Sequence, residues 1–302
     1  MTDENTNDQL TFQNPVDRFP SISPPKQDQP EPGLDEELEP KADRGEQSYR
    51  GTGRLEGRRA LITGSDSGIG SAVAIAFARE GADVALSYLP EEEEDAQHVK
   101  SVIEDCGRRA FLFPGDLTDR DFCQQLVDQA VQALGGLDAL VNNAGKQIAV
   151  EDIADLDDDQ VTETFTTNII AMFRVSRAAL AHMPAGSTIV NTTSIQAYEP
   201  SPHLLDYAST KAAINNFTKG LAQQVAEKGI RVNAVAPGPI WTPLQVSDGQ
   251  PKDALPEFGK STPLGRAGQP TELAPAYVFL SSPESSYVLG ETLNVNGGMP
   301  TP

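Results

Sequence analysis

Ala60-Leu61-Ile62-Thr63-Gly64-Ser65-Asp66-Ser67-Gly68-Ile69-Gly70 is an apolar strand running into a glycine-rich turn, and Ser71-Ala72-Val73-Ala74-Ile75-Ala76-Phe77-Ala78-Arg79-Glu80 continues it with the period of an amphipathic helix. Strand, turn and helix in that order predict a βα unit able to hold a dinucleotide. Glycines let the backbone turn sharply and approach a pyrophosphate, while the helix start offers unpaired N–H groups and a positive dipole end. A glycine-rich turn without a ligand is the plainer alternative. The strand and helix on its two sides weigh against it.

The same alternation continues along the chain. Asp83–Tyr88 reads as a second strand, ended by Pro90, with Glu91–Asp95 opening a helix at the dipole end that favours acids. Ala110–Pro114 is a third strand, and Thr118 is the expected N-cap of a helix reaching about Leu134. Leu137–Val141, Thr188–Thr193, Ile230–Val235 and Thr292–Val295 read as further strands. Between them lie a long helix from about Asp158 to His182, a helix carrying Tyr207, and a last helix from a Thr271 cap to about Leu280. Residues 239–270, rich in Pro, Gly and polar side chains, read as a mobile lid. Strands joined by helices imply parallel pairing. The expected fold is α/β, a single Rossmann-type doubly wound parallel sheet flanked by helices.

A second stretch carries chemistry. Ser194 follows the apolar strand at 188, and Tyr207 and Lys211 lie four apart on one helix, so phenol and ammonium share a face. A positive charge favours phenolate, so Lys211 is expected to lower the Tyr207 pKa and make the phenol a usable general acid or base. Tyr-x-x-x-Lys alone is a weak signal; its neighbours decide.

Thr63-Gly64-x-x-x-Gly68-Ile69-Gly70, Asn142-Asn143-Ala144-Gly145, Ser194, Tyr207-x-x-x-Lys211 and Pro237-Gly238 occur in the order of the short-chain dehydrogenase/reductase family. From about Leu55 to Met299 the chain resembles that family. Ser194-Ile195-Gln196-Ala197-Tyr198, Ser201–Tyr207 and Ala236–Thr242 make it similar to an N-terminally extended bacterial subgroup, the oxidoreductases like general stress proteins. The resemblance implies reversible hydride transfer between nicotinamide and an alcohol, aldehyde or ketone. It makes Tyr207 the acid/base, Ser194 the group that positions the substrate oxygen, and Lys211 the holder of the nicotinamide ribose. Asn168 matches the helix asparagine that links Lys211 to solvent through water; an asparagine inside a helix suits a functional reason. Gly64, Ser67, Gly68, Ile69 and Gly70 are expected on the pyrophosphate side, with Tyr88 at the end of the second strand. Asp116 and Leu117 match adenine contacts, and Asn143, Ala144 and Gly145 the ribose side. Pro237, Gly238, Ile240 and Thr242 match residues that hold the carboxamide and close the lid. A homotetramer is implied too, supported by the apolar last segment Gly290–Met299.

The identity of the nicotinamide turns on charge. A carboxylate ending the second strand binds the ribose hydroxyls of NAD, and a basic residue binds the phosphate of NADP. Ser87-Tyr88-Leu89 supplies neither, Ser67 is neutral, and the acids from Glu91 to Asp95 repel a phosphate. NAD is the expected cofactor, with NADP the alternative.

Composition bounds the rest. The chain has 302 residues and 38% hydrophobic content, enough for one large core, and carries a formal charge of −21. Such acidity argues against nucleic acid as a partner. An ordinary acidic surface and adaptation to salt are both open explanations. No apolar run reaches the length of a membrane span, and the start of the chain lacks a signal-like apolar core, so a cytoplasmic protein is expected. Cys106 and Cys123 form neither a disulfide framework nor a metal motif, and His98, His182 and His203 are scattered. His203 is a candidate for the substrate pocket with Gln196 and Lys146, or a plain loop residue. Trp241 covers the substrate or merely packs.

Residues 1–54 hold seven of the 23 prolines and twelve acids against six bases. That composition cannot bury enough surface to fold alone. It reads as a disordered tail or as an arm on a neighbouring subunit, anchored by Phe12, Phe19, Ile22 and Tyr49. The catalytic domain is expected over 55–302. Besides the dehydrogenase, two readings stay open: a cofactor-binding redox sensor with negligible turnover, and an epimerase or dehydratase on the same frame.

Overall fold

The computed structural model describes residues 8–301; the ends of both expected segments, residues 1–7 and 302, lie outside them. Seven parallel strands form one sheet in the order β3-β2-β1-β4-β5-β6-β7. They are β1 (Arg59–Thr63), β2 (Asp83–Tyr88), β3 (Ala110–Pro114), β4 (Ala139–Asn142), β5 (Thr188–Thr192), β6 (Arg231–Pro237) and β7 (Thr292–Val295). Strand order reverses between β1 and β4, which opens a crevice at the carboxyl ends of the strands. The expected doubly wound α/β fold is the one observed.

Helices cover both faces. On one lie α1 (Gly68–Arg79), α2 (Glu93–Asp105) and α7 (Pro270–Ser281), packed over Ile62, Leu86, Val141 and Val235. On the other lie α3 (Arg120–Leu134), α4 (Asp158–Phe165), α5 (Ala171–Leu180) and α6 (Leu205–Val225), of which α3, α5 and α6 pack over Leu61, Leu140, Ile189 and Val232. Strands buried on both faces read as continuous apolar runs, as parallel sheets require.

Several local expectations are corrected. Helix α1 is not amphipathic in its setting: Gly70 through Ala78 are all buried, because α7 and the N-terminal Tyr49 and Leu55 cover its outer side. The cap of α3 is Asp119, whose carboxylate accepts the Asp121 and Phe122 N–H groups; Thr118 is instead tied to Asp116. Helix α7 begins at Pro270 after Gln269, where Glu272 accepts the Gln269 N–H at 2.9 Å, so Thr271 sits inside the first turn. The long helix from Asp158 is broken by a π-turn over Thr166–Ile170 between α4 and α5.

Residues 8–54 run along their own domain. Leu38 is fully buried with Trp241, Val246, Leu255 and Ala267. Phe19 is buried against the Arg18 and Arg266 guanidiniums, and Ile22 packs beside Leu38. Tyr49 donates to Glu80 at 2.7 Å, whereas Phe12 is fully exposed. The 239–270 segment is pinned at its base, where Trp241 N donates to Gly268 O at 3.0 Å and Gly268 N to Pro239 O at 2.9 Å. Trp241 packs rather than facing a ligand: it is fully buried and donates its indole N–H to Pro40 O at 2.7 Å.

Candidate active site

A cavity of about 800 Å³ opens along the carboxyl ends of the strands. Ser194, Tyr207 and Lys211 lie on its wall, though they come from the turn after β5 and from α6. The glycine-rich turn contributes Gly64, Ser67, Gly68 and Ile69. The β2 end contributes Tyr88, and the β3 end Asp116 and Leu117. Asn143, Ala144 and Gly145 follow β4, and Pro237, Gly238, Ile240 and Thr242 follow β6. Of the expected cofactor contacts, Gly70 alone stands behind the wall. Its missing side chain is nonetheless needed, since a Cβ there would lie 1.8 Å from Gly64 O and 2.6 Å from Asn143 Nδ2.

The turn is drawn tight by β4. Asn143 Nδ2 donates to Gly64 O at 2.8 Å, and Thr63 Oγ1 accepts the N–H groups of Asn143 and Ala144 at 3.1 and 3.2 Å. Gly64 and Gly68 hold φ of +59° and +50°, in the left-handed region that favours glycine. A Cβ on Gly64 would meet Ala144 Cα at 2.8 Å. This side-chain-free cradle at the positive end of α1, inside a cavity of dinucleotide size, fits a nicotinamide dinucleotide.

The side chains expected to carry the acid–base chemistry are buried. Tyr207, Ser194, Lys211 and Asn168 are each less than 10% exposed. Burial pushes the Tyr207 phenol up to about 12, with the Ser194 hydroxyl holding it back. The expected lowering by Lys211 is not what the structure shows. Lys211 Nζ stands 5.2 Å from the Tyr207 ring centroid and donates to Thr192 O at 3.0 Å. Burial also draws Lys211 itself down to about 8. Desolvation is therefore the dominant influence on both groups.

Asn168 sits in the π-turn, a helix defect common at functional sites. Its Oδ1 accepts the Lys146 N–H at 2.7 Å, and its Nδ2 donates to Lys146 O and to Thr210 Oγ1, both at 3.0 Å. Thr210 in turn donates to Tyr207 O at 2.6 Å. Asn168 thus clamps the β4 end to the helix that carries Tyr207 and Lys211. Gly145 keeps the space beside it open, since a Cβ there would lie 3.5 Å from both Asn168 Oδ1 and Lys211 Nζ.

Several contributors were not singled out as site residues from the sequence. Glu31, Pro32 and Gly33 of the N-terminal segment line the cavity, and Glu31 pairs with Lys146 at 2.5 Å. Asp35 accepts the Gly68 N–H at 2.9 Å, at the first turn of α1. Asp66 and Glu92 also line the cavity beside the β2 end. Gln196 and Lys146 reach the cavity as expected, but His203 is not among its lining residues. No helix among the described residues is long and apolar enough to cross a membrane.

Comparison with known proteins places these features in company. A family model described as enoyl-(acyl carrier protein) reductase matches residues 64–300. The chain is 59% identical over 287 residues to the uncharacterized oxidoreductase YghA of Escherichia coli strain K12, covering 95% of this chain and 98% of that protein. It is 46% identical over 280 residues to general stress protein 39 of Bacillus subtilis strain 168, covering 93% and 97%. A solved short chain dehydrogenase from Burkholderia cenocepacia J2315, in complex with NADP, superposes with a TM-score of 0.76 at 38% identity. That match covers 81% of this chain and 98% of the other.

Proposed function

The chain belongs to the short-chain dehydrogenase/reductase family, and we propose that it is an NAD(P)-dependent oxidoreductase that interconverts an alcohol with an aldehyde or ketone. One observation carries the reading: Ser194, Tyr207 and Lys211 converge on the wall of the same cavity that the glycine-rich turn lines. A bound nicotinamide supplies or takes the hydride. The protein's part is positioning and proton transfer.

In reduction, Ser194 and Tyr207 hydrogen-bond the carbonyl oxygen, and Tyr207 passes its proton to that oxygen as negative charge develops. A phenol held at about 12 keeps its proton across the working range, which suits a general acid. In oxidation, Tyr207 must accept a proton, and the Lys211 ammonium supports the phenolate electrostatically. Lys211 also holds the cofactor ribose, and Asn168 fixes the α6 backbone between them. Gly64, Ser67, Gly68 and Ile69 hold the pyrophosphate, Tyr88, Asp116 and Leu117 the adenosine end, and Asn143–Gly145 the ribose side. Pro237, Gly238, Ile240 and Thr242 hold the nicotinamide end.

NAD is the preferred cofactor in this reading, because among the described residues the cavity wall at the β2 end carries Asp66, Glu91 and Glu92 and no basic side chain. We assign residues 55–302 to the catalytic domain and 1–54 to an extension, and place the protein in the cytoplasm as a homotetramer. Exposed Ile170, Phe173, Tyr287 and Leu289 provide apolar surface for further copies.

The test is initial-rate oxidation of NADH and NADPH against a panel of aldehydes and ketones, with Tyr207→Phe as the blank. General acid catalysis contributes roughly a hundredfold or more. The variant should therefore lose at least about 99% of turnover while cofactor affinity stays within about threefold. Turnover retained in Tyr207→Phe refutes the assigned role. Tight cofactor binding with no turnover on the whole panel favours the sensor.

A further inference from the structure

Two carboxyl groups with no part in the proton transfer, Asp66 and Glu92, lie within hydrogen-bonding reach of each other at the adenosine end of the cavity. Asp66, in the glycine-rich turn, is 1% exposed; the Ser67 hydroxyl and its own N–H support the carboxyl, but its Oδ2 is buried without a hydrogen-bond partner. Glu92, in the turn before α2, spends one oxygen on the Leu89 N–H at 2.8 Å and lies within hydrogen-bonding reach of Asp66. An acceptor facing an acceptor is stable only if a proton lies between them or a ligand hydroxyl donates to them.

The surroundings favour the shared proton. From the N-terminal segment come Asp35 and Arg44, from α2 comes Asp95 with Glu36 near it, and from β2 comes Tyr88. Arg44, the cation of the cluster, is already paired with Asp35 at 3.1 Å and with Glu46. Asp95 accepts the Asp35 N–H at 2.7 Å, and Tyr88 gives its hydroxyl to Glu93 at 2.6 Å. Burial first, with the neighbouring acids, pushes both Asp66 and Glu92 well above the ordinary carboxylate range, against the Ser67 hydroxyl and the backbone N–H groups that hold them down. The pair therefore titrates as a unit. Among the described residues this set is not one that could hold a metal ion.

In a doubly wound fold the end of β2 is where the adenosine ribose is read. Here that strand end supplies no charge, and the carboxyls come instead from the turn before α1 and the turn before α2. We infer that the Asp66–Glu92 pair reads the 2′ position of the bound cofactor, and that its shared proton sets how strongly a 2′-phosphate is refused. This rests on the proposed dinucleotide site. A 2′-hydroxyl donates to the pair in either protonation state. A 2′-phosphate tolerates the protonated pair and is repelled once the pair carries two charges. NADP should thus weaken relative to NAD as pH rises.

The test measures dissociation constants of NAD⁺ and NADP⁺ by calorimetry between pH 7 and 9.5, above the second phosphate pKa of about 6. Lys211 serves the ribose common to both cofactors, so its titration cancels in the ratio. The NADP⁺/NAD⁺ ratio should rise at least about tenfold over this range in the wild type. In Glu92→Gln, which keeps an oxygen for the Leu89 N–H, the ratio should fall and become flat. Asp66→Asn serves as the second variant should the first not fold. Glu91→Gln removes one charge from the exposed neighbour and should leave the slope intact. A flat wild-type ratio, an unchanged slope in both pair variants, or an equal effect from Glu91→Gln overturns the inference. Failure of the wild type to bind either cofactor removes the dinucleotide site itself, an outcome distinct from tight binding with an insensitive ratio.

Discussion

Replacing Glu80 by Gln should loosen the N-terminal segment from the catalytic domain. The Glu80 side chain is fully buried at the end of α1 and collects an unusual set of donors. Thr52 N, Arg54 N, the Arg54 guanidinium and the Tyr49 hydroxyl lie at 2.8, 3.0, 2.7 and 2.7 Å. Burial alone would raise its pKa, but these donors outweigh it and hold the carboxyl at about 2, against an ordinary 4.5. At about 1.4 kcal/mol per unit, the carboxylate contributes about 3 kcal/mol to the folded state. Because the folded pKa is the depressed one, this stability is fully present above pH 4.5 and is lost as pH falls through about 2. Glu80→Gln removes it at pH 7. At roughly 2 °C per kcal/mol for a domain of this size, the melting temperature should fall by about 6 °C. The assay is a thermal melt of both proteins at pH 7, with limited proteolysis following cleavage within residues 8–54. A shift below about 1 °C with unchanged cleavage would refute the reasoning.

Other substitutions probe the cavity itself. Gly70→Ala should weaken NAD⁺ binding at least about tenfold in a fluorescence titration, because its Cβ would collide with Gly64 O and force the pyrophosphate turn open. Lys211→Ala should damage both turnover and cofactor affinity, in contrast to Tyr207→Phe, and comparing Kd with kcat in the two variants separates the roles. Lys211 is held near 8 by burial, so NAD⁺ affinity should decline as pH rises through 8 in the wild type and be flat in Lys211→Ala. The same titration series at pH 6.5 to 9.5 checks it.

The fold was legible in the sequence wherever one local signal sufficed. A strand buried on both faces is a continuous apolar run, and β2, β3 and β7 begin and end at the expected residues. Caps were less legible, since Thr118 and Asp119, or Gln269 and Thr271, are chemically competent neighbours and tertiary geometry chooses between them. The buried outer face of α1 could not be read locally, because α7 and Tyr49, which cover it, are distant in sequence. The site residues were legible as types at spacings. What they do to one another was not: the pKa of Tyr207 depends on desolvation, which a four-residue spacing does not report. The N-terminal contributions were hidden most thoroughly. A Pro-rich acidic segment has the composition of a disordered tail, and only its long-range partners make it ordered. Asn168 lies between, its place in a helix being suspicious in the sequence and its π-turn explaining why.

The route of residues 8–54 across the domain also has a temporal meaning. Trp241, which donates to Pro40 O, is 201 residues downstream, Gln269 is 226 beyond Asp43, and Arg266 is 251 beyond Pro15. On a ribosome the early part of this segment emerges well before any of these partners and waits for them while most of the sheet is made. Contacts of such separation carry the largest loop-closure cost and form late. The wall that Glu31, Pro32 and Gly33 give the cavity rests on Pro243 and, through Gln29, on Val246, so it is finished only once the segment after β6 has been synthesised. A stalled chain ending before Arg266 would hold the glycine-rich turn, the tyrosine and the lysine, yet lack the seat on which its own beginning closes.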